Sequence, residues 1–113
     1  MGSVVYFVRD LLFSSKIREA AERLDVSLQG IRDPAAVAAA ARGARLVILD
    51  LRLPEAIDVL AALARDPETV AVATVGFVGH EDRSVMEAAR AAGCGEVLAK
   101  GEFAAKLPKL LSA

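Results

Sequence analysis

The residues able to do chemistry in this sequence stand directly after short apolar runs. Arg9 and Asp10 follow Val4–Val8, Asp50 and then Arg52 follow Arg45–Leu49, and Lys100 and Gly101 follow Glu96–Ala99. Carboxylates such as Asp10 and Asp50 are hard oxygen donors of the kind Mg²⁺ takes. A lysine set opposite them suits an anionic phosphoryl group. Arg9 adds a cation that repels a metal ion and can pair with either acid. There is one histidine, His80, and one cysteine, Cys94, so neither has the companions a zinc or transition-metal site needs. His80 is expected to be exposed or to cap a helix. Cys94, between Gly93 and Gly95, is expected to be a small half-buried turn residue. Gly76 and Gly79 flank Phe77 and Val78 and could cradle an anion, although no G-x-G-x-x-G follows a strand. Neither a Ser–His–Asp arrangement nor a nucleophile elbow is present.

What positions these residues is an alternation of β-rich and helical runs. Val4–Val8, Val26–Ile31, Arg45–Leu49, a segment within Val70–Val78 and Glu96–Ala99 read as strands. The first, third and fourth are apolar throughout, as strands covered on both faces are. Ile17, Ala20, Ala21 and Leu24 mark one face of a helix over Ser15–Leu24. Asp33-Pro34 opens a second helix and Gly43 closes it. A third starts at Pro54 with Ile57, Leu60, Ala61 and Ala64 inward, and Asp66-Pro67 makes the turn after it. Glu81 and Asp82 suit the first turn of a fourth, which Gly93 ends. Phe103, Leu107, Leu110 and Leu111 mark a last helix, which Pro108 should kink or delay. Phe7, Phe77 and Phe103 are expected in the core and Phe13, in the loop before the first helix, exposed. The pattern predicts an α/β fold: a (βα)5 doubly wound, five-stranded parallel sheet, flavodoxin-like order 2-1-3-4-5, in three layers. Ligands of such sheets bind beyond the carboxyl ends of the strands, where Asp10, Asp50, His80 and Lys100 fall.

Val-Ile-Leu-Asp50-Leu-Arg-Leu-Pro54 resembles the response-regulator receiver domain, whose third strand ends in a phospho-accepting aspartate with proline four residues on. Ala-Ala-Gly93-Cys-Gly-Glu-Val-Leu-Ala-Lys100 is similar to that family's last crossover, and Val-Val-Tyr-Phe-Val-Arg9-Asp10 to its first strand and acid pair. The resemblance spans 1–113 as one receiver-like domain. It implies Asp50 as phosphorylation site, Asp10 and Asp50 as metal-binding acids, Lys100 as phosphate-binding lysine and a histidine kinase as phosphoryl donor with Mg²⁺.

Several positions depart from the family pattern. Arg9 stands where the first of two acids is expected. The hydroxyl position ending strand 4 is Val78, the aromatic switch position is Val97, and Lys100 is followed by Gly101 instead of proline. Together these describe an atypical or pseudo-receiver whose switch positions are lost. Asp50 then has two readings, a phospho-acceptor or an acid paired to Lys100 or Arg9. Asp10 is a metal ligand or an N-cap. Arg9 is a pocket cation replacing an acid, or an exposed arginine.

Composition limits the alternatives. A 55% hydrophobic chain with 26% charged residues is not a disordered segment. A net charge of −1 supplies no footprint for nucleic acid. No run of about 18 apolar residues spans a membrane. The N-terminus lacks a charged region ahead of an apolar core, and a lone cysteine suits a cytoplasmic protein. The expected function is therefore a non-enzymatic signalling protein acting through a protein partner or homodimer, with no cofactor unless phosphorylation retains Mg²⁺. The alternatives are a working phospho-accepting regulator and a small-ligand-binding flavodoxin-like module.

Overall fold

The structure, a computed structural model, describes residues 3–112. Each apolar run becomes a strand or a helix in the expected alternation. The elements are β1 (Val4–Phe7), α1 (Leu11–Arg23), β2 (Leu28–Gly30), a 3₁₀ turn (Pro34–Ala36) leading into α2 (Val37–Ala41), β3 (Leu46–Asp50), α3 (Ala56–Arg65), β4 (Ala73–Val78), α4 (Arg83–Ala91), β5 (Glu96–Ala99) and α5 (Lys100–Ser112). All neighbouring strands are parallel, in the order β2-β1-β3-β4-β5.

Side chains alternate across a strand, and here both faces are covered. Val47 and Leu49 of β3 pack with residues of α2, α3 and α4. Leu46 and Ile48 pack with Phe13 and Ile17 of α1 and with Phe103, Leu107 and Leu111 of α5. This gives the expected three layers and explains why β3 has no polar alternation: all of its residues are buried.

Local details differ from expectation for identifiable reasons. The first helix starts at Leu11 and not at Ser15, because Asp10 caps it by accepting the Phe13 N–H at 3.1 Å. Phe13 is thereby carried from the expected exposed loop into the core. Its ring centroid lies 5.0 Å from that of Phe77, which stacks on Phe103 at 4.4 Å. The exposed apolar residues of this turn are Leu11 and Leu12, at 82% and 63%. Helix α3 buries Ala56, Val59, Leu60 and Leu63, leaving Ile57 and Ala64 exposed. That stripe keeps helical spacing and puts larger residues inside than the expected one. Helix α5 starts without delay and runs through Pro108, whose ring lies on the exposed side between buried Leu107 and Leu111.

Candidate functional site

The carboxyl ends of β1, β3 and β5 bring Asp10, Asp50 and Lys100 to one edge of the sheet. Asp50 is the last residue of β3. It is buried, and its Oδ1 accepts the Arg52 N–H at 3.1 Å. Asp10 follows β1 and lines a cleft of about 330 Å³ with Asp50, Arg9, Arg52 and Leu53. The first residue of α5, Lys100, reaches across to Asp10, with Nζ 3.3 Å from Oδ2. The same ammonium lies 5.3 Å from the Phe13 ring centroid, in cation–π range. The expected pairing of Lys100 with Asp50 is therefore not observed. Asp50 forms no ion pair among the described residues.

Both Asp10 oxygens are occupied: Oδ1 by the Phe13 N–H and Oδ2 by Lys100. The Phe13 N–H first, and then Lys100, hold this carboxyl below its ordinary range, against an opposing contribution from burial. Arg9 lines the cleft, but its guanidinium is engaged elsewhere. Nη1 donates to Glu55 Oε2 at 3.4 Å and Nη2 to the Arg32 carbonyl at 3.2 Å, while its Cζ lies 5.3 Å from the Phe7 ring centroid. It makes no ion pair with Asp10 or Asp50 among the described residues. Val78, fully buried at the end of β4, and half-buried Val97 in β5 present only methyl groups.

At the two glycines that could cradle an anion, neighbouring side chains already fill the space. A Cβ on Gly76 would lie 2.7 Å from the Leu51 side chain, so the missing atom is room for Leu51. At Gly79 the Glu81 carboxylate occupies that space, at 2.7 Å. His80 is exposed, with Nδ1 3.6 Å from Glu81 Oε1. It borders a second cleft of about 380 Å³ with Arg52 and Lys100. Cys94 is buried, its thiol lies 3.3 Å from the Glu96 carbonyl, and burial pushes its pKa up, as suits an inert turn residue. Sequence reading puts Arg52 at this edge but not its backbone N–H on Asp50, and it misses Glu55, which takes Arg9. Glu55 lies 46 residues from Arg9, and no local spacing signals such a pair.

No family model matches the sequence, and no curated protein matches it. Solved structures do match by shape. A response regulator from Hahella chejuensis superposes with a TM-score of 0.82 at 20% identity, covering 99% of this chain and 93% of that one. The chain has the receiver-domain fold. The chemotaxis response regulator of Vibrio cholerae gives 0.79 at 16% identity, covering 98% and 96% of the two chains. The receiver domain of a sensor histidine kinase from Pseudomonas aeruginosa gives 0.78 at 19%, covering 98% and 95%, and is described with magnesium coordinated in its active-site cleft. The receiver-fold cleft of the present chain does not fit such an ion as arranged. Mg²⁺ is held octahedrally by oxygens. Here both Asp10 oxygens and Asp50 Oδ1 are already bonded, and no group of three or more acids, histidines or cysteines suited to a metal occurs among the described residues.

Proposed function

We propose that this chain is an atypical receiver-type signalling module that works by binding a protein partner, with a phosphorylation cleft that carries its own cation. The carrying observation is the Lys100–Asp10 pair. It places an ammonium against the acid that would otherwise help hold a metal, while the Arg9 guanidinium at the cleft wall is paired with Glu55. Val78 and Val97 supply neither the hydroxyl nor the aromatic ring with which a phosphoryl group would be sensed. The domain, taken as 1–113, would then signal through its surface without turning over a substrate. Exposed Leu11 and Leu12 beside the cleft are apolar area for a partner protein, and the face of α4, β5 and α5 is the other surface offered. The partner is a histidine kinase, another signalling protein or a second copy of the chain, in the cytoplasm; among the described residues no helix is long and apolar enough to cross a membrane.

One observation favours a second reading, in which Asp50 accepts a phosphoryl group. Its carboxylate lines the open cleft and forms no ion pair among the described residues, with Oδ1 fixed by the Arg52 N–H. An oxygen of Asp50 would form the new bond to phosphorus as the donor's bond breaks, and the group would arrive beside Lys100 and Arg52.

Intact mass after incubation with acetyl phosphate and Mg²⁺ separates the two. The first reading expects no gain of a phosphoryl group. A gain that disappears in Asp50→Asn overturns it and establishes the second.

A further inference from the structure

A third crevice opens between the carboxyl ends of β1 and β2, beneath α1, with a volume of about 380 Å³. Three arginines line it from three elements: Arg9 after β1, Arg18 on α1 and Arg32 after β2. The lining contains no Asp or Glu. Of the three, only Arg9 has an acidic partner; Arg18 and Arg32 form no ion pair and donate no side-chain hydrogen bond among the described residues. Like charges gathered around one concavity repel, and an incoming anion relieves that repulsion. Guanidinium groups match phosphate oxygens bidentately. The rest of the wall combines apolar Val8, Ile31 and Leu11, the last at 82% exposure, with Ser14 and Tyr6. Tyr6 lies against Gly30, where a Cβ would stand 2.8 Å from its ring and hydroxyl, so the glycine is what lets the ring sit over β2.

We propose that the Arg9–Arg18–Arg32 crevice binds a small phosphate monoester, with the phosphate on the arginines and an apolar body against Val8 and Leu11. This site lies beyond β1 and β2, whereas the acidic cleft lies beyond β1 and β3, and Arg9 is the wall they share. The inference does not depend on the state of Asp50.

Phenyl phosphate is the probe, titrated into the full chain and followed by amide chemical shifts, with phenol as the uncharged control. Saturable shifts centred on Ser14, Gly30 and Arg32 are expected, and no saturation with phenol. Arg18→Glu and Arg32→Glu should each weaken binding about tenfold or more. Arg23→Glu, on the same helix but outside the crevice, should leave it unchanged and controls for net charge. Absence of saturation, shifts centred on Arg52 and Lys100, or equal weakening by Arg23→Glu would overturn the assignment. Shift mapping on the unaltered chain keeps the test valid if a variant fails to fold.

Discussion

The Lys100 ammonium lies 3.3 Å from Oδ2 of Asp10, and Asp10 is at the same time the N-cap of α1. One carboxylate thus joins the start of α5 to the start of α1 across the sheet edge, and cation, acid and Phe13 ring form one unit over the aromatic stack.

Asp10 should titrate below an ordinary aspartate. Its charged form is favoured by folding, so its contribution to stability is present above the unfolded pKa of about 3.9 and is lost as pH falls through the lower folded value. In Lys100→Met the folded pKa should rise yet stay below the ordinary value, because the Phe13 N–H is the larger cause. Carboxyl NMR titration of the two proteins checks this. The pair is about a quarter to a third exposed, so its loss should lower stability by less than about 1 kcal/mol.

Asp10→Ala removes the helix cap as well and should cost about 1 kcal/mol. Asp10→Ser keeps a capping oxygen and should recover most of that loss while leaving Lys100 unpaired. Denaturant unfolding of the two variants separates capping from charge; equal losses would show that the cap is not what stabilises α1.

Phe13→Ala should cost about 3–5 kcal/mol, because the ring is buried against Phe77 and Phe103. Leu11→Ala, two residues away and 82% exposed, should change stability by about 0.5 kcal/mol or less. Comparable losses at the two positions would contradict the buried stack.

Gly76→Ala should destabilise by about 1–3 kcal/mol, since the new methyl meets Leu51 at 2.7 Å. Leu51→Ala alone should also destabilise, by leaving a cavity. The double variant should be more stable than the sum of the two losses, and the coupling in a double-mutant cycle reads the contact.

The strand order and layers were legible in the sequence because β1, β3 and β4 are apolar on both faces and the connections between them are short. The convergence of Asp10, Asp50 and Lys100 followed from that topology alone. What the sequence did not disclose were choices between partners. Asp10 reads as a site acid or as a cap, and a helix beginning at Ser15 puts Phe13 on the surface. Lys100 can reach either acid at a sheet edge, and periodicity carries no information on which. Gly76 resembles a ligand-cradling glycine because its real neighbour, Leu51, stands in the turn just past the neighbouring strand β3 and not in local sequence. The topology sets Arg9 beside two acids, whereas Glu55 takes it from the loop before α3.

The most direct measurement is a Mg²⁺ titration of the full chain followed at the Asp10, Asp50 and Lys100 amides. With Lys100 already on Asp10, these resonances should drift without saturating through millimolar Mg²⁺. Saturable shifts at all three below the millimolar range, with the Asp10–Lys100 pair released, would contradict a cleft that carries its own cation.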